Sequence, residues 1–275
     1  MADKTSQNLT YEKILSDIKE QNYVEVPFPM LKEELDDVAR HFLDFLTLSQ
    51  DVKDRFTFIL DEKDRGSNAG YARKLKTRGD SDDKEYFNYR GTTERLFADL
   101  IAEYQGDSRV QNFFKSARKV LDAATETLKK VIKVIDARHG GIYNKIFSEH
   151  ADRLLALRFI KYDASGRGEF LAKAHYDRSS CTLAIAESSS GLRIGKDVTH
   201  LKEVFRHGNT ALFFPSLTFA DGVGSSEFTP GWHDVVQKSN QAYSKDVARW
   251  AIVFFADIKH GREITYEDAH VPKDY

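Results

Sequence analysis

Apolar residues recur every three or four positions through much of the first half of the chain, which is the spacing of an amphipathic helix. The pattern is clear over residues 9–20 and 31–46. Its longest run covers residues 107–140, beginning at an aspartate and a serine that suit an N-cap and ending at a glycine pair. Together with one short strand at 23–26, these runs predict a helix-rich N-terminal region over residues 1–150.

After residue 150 the pattern changes to short apolar runs separated by turns that contain glycine or serine. We predict strands over residues 154–162, 170–177, 182–186, 192–194, 210–215, 232–236 and 248–255. Many short strands at regular spacing are typical of a sandwich or a barrel. The predicted fold class is therefore α+β, with residues 151–275 forming a β-rich core on which residues 1–150 pack as part of one unit.

The overall charge excludes some classes of partner. The chain has 41 lysine and arginine residues against 43 aspartate and glutamate residues. This near balance argues against nucleic-acid binding or attachment to a membrane surface. No apolar run approaches the roughly 18 residues of a membrane helix, and the first residues lack the apolar segment of a signal peptide. With Cys181 as the single cysteine, no internal disulfide can form, and we expect a cytoplasmic protein.

A charged, glycine-containing stretch over residues 61–85 predicts a long loop that could hold a β-hairpin. The simpler interpretation is a solvated surface segment.

The pair His175 and Asp177 carries the clearest chemistry in the chain. Residues i and i+2 of a strand point to the same face, so the two side chains would share one cavity while Tyr176 points away. A neutral imidazole nitrogen beside a hard carboxylate oxygen suits a divalent first-row metal. Two histidines and one carboxylate with open positions are typical of non-haem iron(II) oxygenases. We therefore expect a third ligand, another histidine on a different strand downstream.

Two kinds of alternative have to be weighed against this site. A second triplet, His150-Ala151-Asp152, has the same spacing, but it lies at a helix-to-strand boundary where its side chains need not share a face. Among the downstream histidines, His233 begins an apolar strand. The others lie in turns, in a charged connection or in the tail: His200, His207, His260 and His270. Alone, His233 would be read as a core histidine hydrogen-bonded at a strand end.

Arg249 lies in an otherwise apolar predicted strand. If it points inward it must be paired, and no acidic residue in that strand offers itself. A planar guanidinium suits bidentate binding of a carboxylate, so a dicarboxylic ligand would be a fitting partner. The alternative is that Arg249 extends outward to solvent.

Together these residues resemble the iron(II)/2-oxoglutarate-dependent oxygenases, specifically the isopenicillin-N-synthase-like branch. The matching pieces are His175-x-Asp177, Thr182-Leu183, Gly191-Leu192, His233, Arg249-x-Ala251 and Phe254-Phe255. The resemblance extends over nearly the whole chain. It implies a double-stranded β-helix (jelly-roll) core with a helix-rich N-terminal region.

The resemblance also implies roles. His175, Asp177 and His233 would bind Fe(II), and Arg249 would bind the distal carboxylate of 2-oxoglutarate. Where the family usually has a serine two residues after this arginine, the chain has Ala251. Either Tyr162 or Thr182 supplies the missing hydrogen bond, or the co-substrate pocket differs.

The implied activity couples decarboxylation of 2-oxoglutarate and O2 to hydroxylation or desaturation of a small organic substrate. Lys173 and Arg158 could bind a carboxylate on that substrate, and Tyr71 and Phe219 could form an aromatic wall. Surface charge on strand ends is an equally good interpretation of the two basic residues. Two rival functions remain at this point: an iron-dependent oxidase on the same scaffold that does not use 2-oxoglutarate, and a non-enzymatic β-sandwich binding module.

Overall fold

The computed structural model describes residues 9–59, 68–74, 83–147, 151–164, 170–237, 242–259, 261 and 263–271. Most of the predicted loop at 61–85, the alternative ligands His150 and His260, and part of the turn after residue 163 lie outside the described residues.

The first half of the chain supplies most of the helices. The helices are α1 Tyr11–Gln21, α2 Lys32–Leu46, α3 Gln50–Arg55, α4 Thr93–Leu96, α5 Ala98–Glu103, α6 Ser108–His139, α7 Ile142–Ile146, α8 Ala151–Leu154, α9 Phe219–Val223 and α10 Tyr266–His270. The long helix α6 begins at the N-cap Asp107, whose side chain accepts a hydrogen bond from the Arg109 amide, and it ends at Gly140. Its predicted apolar stripe is buried.

The strands form two antiparallel sheets. They are β1 Val24–Pro27, β2 Thr57–Phe58, β3 Ala69–Lys74, β4 Lys84–Tyr89, β5 Leu155–Asp163, β6 Phe170–His175, β7 Cys181–Glu187, β8 Leu192–Gly195, β9 Lys202–Glu203, β10 Thr210–Pro215, β11 Trp232–Val236 and β12 Val247–Ala256. The large sheet has the order β1, β10, β7, β12, β5, β4, β3, β2, and the small sheet has the order β6, β11, β8, β9.

Apolar side chains are buried on both faces of the large sheet. On its outer face, helices α2 and α6 pack through a phenylalanine cluster that includes Phe42, Phe113 and Phe159. On its inner face, a second cluster faces the small sheet and includes Tyr162 and Phe214. Two sheets enclosing an apolar interior, with helices covering the outer face, position the inward residues of β6, β7, β11 and β12 around one space.

The predicted elements recur, and the structure differs from the prediction in several places. Strand β6 ends at His175, so the prediction that Asp177 lies inside this strand is wrong. Two short helices that the periodicity did not predict, α9 and α10, interrupt the β-rich half. The division of the chain near residue 150 stays a prediction, and strands β1 to β4 from before that point join the large sheet.

Among the described residues, none of the helices combines the length and apolar character needed to cross a membrane.

Candidate metal centre

His175 and His233 lie side by side on neighbouring strands of the small sheet. They are direct partners in the antiparallel pairing of β6 with β11, and their ring centroids are 4.4 Å apart. Nδ1 of His175 lies 2.7 Å from the Lys173 carbonyl oxygen, and Nδ1 of His233 lies 3.0 Å from the Gly231 carbonyl oxygen. Because a carbonyl only accepts, each Nδ1 carries the proton and donates it. In the neutral imidazole each Nε2 then presents a lone pair to the same space.

Asp177 reaches this space from the turn that follows β6. Its Oδ1 lies 3.7 Å from Nε2 of His175 and 3.6 Å from Nε2 of His233. The Thr182 hydroxyl donates to Oδ2 at 2.5 Å, and the Ser216 hydroxyl donates to the Asp177 backbone carbonyl. The carboxylate is thus held at both its side chain and its main chain, with Oδ1 turned toward the two imidazoles.

Burial and the neighbouring polar groups have opposite effects on the pKa of the Asp177 carboxyl. Burial alone would raise the pKa of the Asp177 carboxyl, but the neighbouring His233 and His175 and the Thr182 hydroxyl outweigh it and lower that pKa below the usual range. Burial lowers the pKa of His233 and so favours its neutral form. A charged carboxylate and a neutral imidazole are the protonation states that bind a metal.

The three side chains fit a divalent metal. Their ligand atoms all lie within 4.8 Å of one another. Two imidazole nitrogens and one carboxylate oxygen, each hydrogen-bonded on its far side, are the donor set of non-haem iron(II) sites. The structure thus brings together the three residues that the sequence singled out, and their role as ligands remains the hypothesis to be tested.

Arg249 is buried, with 3% of its side chain exposed, and it has an acidic partner that the sequence analysis missed. Its Nη2 lies 3.2 Å from Oε2 of Glu187, and its Nε donates to the Ser189 carbonyl at 3.1 Å. Oε1 of Glu187 lies 2.5 Å from Nη2 of Arg206. The strand that contains Arg249 offers no acidic residue, as the sequence analysis noted, and the partner Glu187 comes from the neighbouring strand β7.

The other two predicted co-substrate residues, Tyr162 and Thr182, are also buried. Tyr162 is the cross-strand partner of Arg249 and belongs to the inner apolar cluster. The Thr182 hydroxyl, predicted to bond to 2-oxoglutarate, instead donates to Asp177.

A cavity of about 460 Å³ lies beside His175 and Asp177. Arg158 and Lys173, both predicted as substrate residues, line it.

The other two predicted substrate residues lie elsewhere. The Tyr71 hydroxyl donates to Glu85 at 2.7 Å inside a buried polar group that includes Lys53. Phe219 packs edge-on against Phe213 and Phe228. Neither Tyr71 nor Phe219 is among the described residues that line the cavity. The structure therefore favours a packing role in the core for both residues.

Helix α10 brings two further rings to the site. His270 lies nearly parallel to His175, with ring centroids 5.8 Å apart, and Tyr266 stacks on His270 at 3.8 Å. The sequence analysis placed His270 in the tail. A signal was present in Thr265 and Asp268, which form a capping box and mark the start of a helix.

Comparisons with known proteins agree on the fold. A full-length Neurospora crassa protein crystallised in complex with alpha-KG is 18% identical, with a TM-score of 0.65 over 90% of this chain and 78% of that chain. JOX2, crystallised with 2OG, Fe and JA, is 14% identical, with a TM-score of 0.67 over 94% of this chain and 74% of that chain. The dioxygenase for auxin oxidation 1 from Arabidopsis thaliana, solved as a 2-oxoglutarate complex, is 14% identical, with a TM-score of 0.65 over 94% of this chain and 91% of that chain.

Neither a protein-family model nor a curated protein matches the sequence. The chain has the jelly-roll fold of the 2-oxoglutarate and iron(II) oxygenases, so the predicted fold class is confirmed. The resemblance to that broad group is confirmed at the level of the fold, whereas the isopenicillin-N-synthase-like branch stays a prediction.

Proposed function

We propose that the protein is a non-haem iron(II) oxygenase that couples decarboxylation of 2-oxoglutarate and O2 to hydroxylation or desaturation of a small organic substrate. One observation carries the proposal. Two imidazole Nε2 atoms face one carboxylate oxygen at 3.6 to 3.7 Å inside a jelly roll, beside a cavity large enough for a small molecule. An ordinary core histidine pair has no need of this convergence.

Each side chain has a defined part in this proposal. His175 and His233 would hold the metal through Nε2, because their Nδ1 protons are donated to backbone carbonyls. Asp177 would add a carboxylate oxygen, and the Thr182 hydroxyl would orient it. Iron(II), when bound, supplies the chemistry with O2 that side chains lack. Three ligands leave other coordination positions open for 2-oxoglutarate and O2.

Arg249 and Tyr162 remain the proposed residues for 2-oxoglutarate. A buried guanidinium is well suited to bind a carboxylate, but the guanidinium of Arg249 already donates to the carboxylate of Glu187. The distal carboxylate of 2-oxoglutarate would have to take the place of Glu187. The second contact of Glu187, with Arg206, gives its carboxylate a partner when this happens. Ala251 contributes no hydroxyl, so Tyr162, the cross-strand partner of Arg249, is the proposed second donor.

The same ion pair favours a second candidate function, an iron-dependent oxidase that does not use 2-oxoglutarate. If Glu187 permanently neutralises Arg249, no carboxylate ligand is needed there. The non-enzymatic binding module has no comparable observation in its favour, since the convergence of the three ligand atoms would then be incidental.

Anaerobic titration with iron(II) and then with 2-oxoglutarate tests the proposal. We expect a weak visible charge-transfer band when the 2-oxo acid chelates the metal, and release of succinate when O2 and a substrate are supplied. Arg249→Ala should weaken the band, whereas Arg40→Ala, at an exposed position on α2, should not. Iron binding without any band would support the oxidase, and failure to bind iron would support the binding module.

The proposed partners are a small-molecule substrate, O2 and 2-oxoglutarate, with no nucleic-acid or membrane partner. The near-balanced charge of the chain supports the exclusion of those two partners. We also propose a cytoplasmic location, which the free buried thiol of Cys181 supports.

A further inference from the structure

Residues 264–270, the C-terminal segment, pack directly beside the candidate metal centre. This segment contains helix α10. Its side chains Ile264 and Ala269 are buried, with 3% and 1% exposed, in a small apolar cluster with Tyr176 and Trp232. Tyr176 and Trp232 are the chain neighbours of the two candidate histidine ligands. The apolar anchor of the C-terminal segment therefore lies next to the strand ends that carry both imidazoles.

Two hydrogen bonds tie this segment to the chain on either side of Asp177. Strand β6 has ended before this point, so the Tyr176 amide takes no part in the pairing with β11. It donates instead to the carbonyl oxygen of Ala269 at 2.8 Å. On the other side, Nε of Arg178 donates to the carbonyl oxygen of Ile264 at 2.9 Å. The C-terminal segment thus fixes the residues that immediately precede and follow the candidate carboxylate ligand.

The same segment also reaches the first candidate ligand and the cavity. The ring of His270 lies nearly parallel to that of His175, at 18° and with the centroids 5.8 Å apart. Nδ1 of His270 donates to the Tyr266 carbonyl oxygen at 2.8 Å within α10, which fixes the orientation of this ring. Tyr266, Ala269 and His270 line the cavity together with Asp177. Movement of the C-terminal segment would therefore change both a wall of the cavity and the surroundings of the candidate ligands.

The three candidate ligands are not held in the same way. His175 and His233 lie on paired strands, and the backbone ladder of these strands fixes where both imidazoles begin. Asp177 lies in a turn outside this ladder and is held by the hydroxyls of Thr182 and Ser216 and by the C-terminal segment. Release of the segment would leave the two hydroxyls, so the carboxylate would be less well oriented but not detached. Loss of such outer contacts typically weakens metal binding by about 10- to 100-fold.

We propose that the C-terminal segment is a positioning element for the metal centre, so that docking of the segment and binding of a divalent metal strengthen each other. The inference rests on the metal site of the proposed function and not on the use of 2-oxoglutarate. Coupling between two such equilibria is reciprocal. The factor by which the docked segment raises the metal affinity equals the factor by which the bound metal stabilises the docked segment. Both directions can be measured on the full chain.

Variants of Ala269 test the first direction. Ala269→Gln places a neutral side chain that is too long for a buried position, and should undock the segment without changing any charge. Iron(II) is titrated by calorimetry in the absence of O2, and urea unfolding shows that each variant is folded. We expect Ala269→Gln to bind iron(II) about tenfold more weakly than the wild type. Ala269→Ser fits the same space and should bind iron(II) like the wild type. The control Val271→Gln changes a residue that is 57% exposed, and its affinity should also be unchanged.

A second variant weakens the other anchor of the segment. Ile264→Ala removes most of a buried side chain but keeps the carbonyl oxygen that accepts from Arg178. We expect it to lower the iron(II) affinity in the same direction as Ala269→Gln, by a smaller factor. The control Ile59→Ala makes the same change at a residue that is 53% exposed, and should leave the affinity unchanged.

Hydrogen exchange of the wild type tests the reverse direction and needs no variant. Peptides that cover the C-terminal segment are followed by mass spectrometry, with and without iron(II) and in the absence of O2. We expect iron(II) to slow exchange in this segment about tenfold, the same factor as the loss of affinity. In His233→Ala, which lacks one candidate ligand, iron(II) should have no effect on the segment. A purely structural role of the segment predicts no such dependence on the metal.

Two results would overturn the inference. One is an unchanged iron(II) affinity in folded Ala269→Gln and Ile264→Ala proteins. The other is exchange of the C-terminal segment that iron(II) slows no more than exchange of the rest of the chain. With normal iron(II) binding by the wild type, either result would leave the proposed function intact. A wild type that binds no iron(II) would reject both, whereas coupling without the charge-transfer band would reject only the use of 2-oxoglutarate.

Discussion

Replacing Glu187 by glutamine should tighten the binding of 2-oxoglutarate, because the Glu187 carboxylate occupies the guanidinium that the proposed co-substrate needs. Arg249 Nη2 and Glu187 Oε2 are 3.2 Å apart. Two unit charges at that distance attract by about 5 kcal/mol at an effective dielectric constant of about 20. Displaced Glu187 keeps its contact with Arg206 at 2.5 Å, so only part of this attraction is lost on ligand binding. We expect a gain of about 1.4 kcal/mol, which is a tenfold lower Kd.

The assay is the anaerobic titration of iron(II)-loaded protein with 2-oxoglutarate, followed at the charge-transfer band. Glu126→Gln removes a carboxylate from an exposed position on α6 and is the matched control. An unchanged Kd in the Glu187→Gln variant would show that Glu187 does not compete with the ligand. A higher Kd would show that Glu187 positions Arg249 for the ligand. Either result refutes the reasoning.

The same substitution should lower the free energy of unfolding. It leaves Arg249 buried without its ionic partner, and loss of one member of a buried pair destabilises by about 3 kcal/mol. Glutamine retains one hydrogen bond, so a loss of about 2 kcal/mol is expected, measured by urea unfolding of the protein without ligand. Tighter ligand binding in a less stable protein is the combination that a competing carboxylate predicts.

Three further predictions concern other sites. His233→Ala should abolish stoichiometric iron(II) binding, measured by metal analysis after gel filtration, because one imidazole and one carboxylate remain; retained iron would contradict the site. Thr182→Val should weaken iron(II) binding at least tenfold, because Asp177 loses the hydroxyl that orients it at 2.5 Å; unchanged affinity would contradict this role. Burial alone would raise the pKa of Glu85, but hydrogen bonds from its partners, first among them Lys53, outweigh burial and lower this pKa from 4.5 to about 2. The free energy of unfolding of the wild type should therefore fall as the pH drops from about 4.5 to 2. The variant Glu85→Gln should be less stable than the wild type at pH 7, and it should lack the part of the acid-induced loss that comes from Glu85. Urea unfolding of both proteins at pH 7 and pH 3 measures these differences.

Much of the architecture follows from short-range patterns. The apolar period of α6 and its capping residues are local, and so is the change to short strands after residue 150. The proximity of His175 and Asp177 was predictable from their spacing, although β6 ends at His175 and the carboxylate arrives from a turn. His233 could be selected because it begins an apolar strand, which is what the structure has in β11.

Glu187 escaped prediction for a physical reason. Alternation along β7 from the inward Thr182 and Ala184 would direct Ala186 inward and Glu187 outward. The pairing of β7 with β12 instead shifts register between Ala184 and Ala186. Such a β-bulge reverses the alternation, and Glu187 is brought to Arg249. A bulge is set by the pairing of two strands that lie far apart in sequence, so the period-2 pattern of β7 alone cannot reveal it.

The positions of Tyr71 and Phe219 away from the cavity could not be predicted for a related reason. Aromatic side chains fill cores and line pockets equally well, and only the packing of distant elements decides between these roles. The cavity beside His175 had a partial signal in Lys173, which lies two residues before His175 in the chain. Arg158 lies on β5, in the same sheet as β7. Lys74 and Lys84 reach the cavity from the β3–β4 pair, a contact between the two halves of the chain that no local pattern reports.

The charge of Arg249 is balanced before any co-substrate binds. Arg249 is already paired with Glu187. A diacid that binds there gains only the difference between its own attraction to Arg249 and that of the Glu187 carboxylate. Affinity for 2-oxoglutarate should therefore depend mainly on Glu187 and weakly on salt, because the exchange is buried. A steep fall of the 2-oxoglutarate affinity with rising salt would contradict this buried exchange.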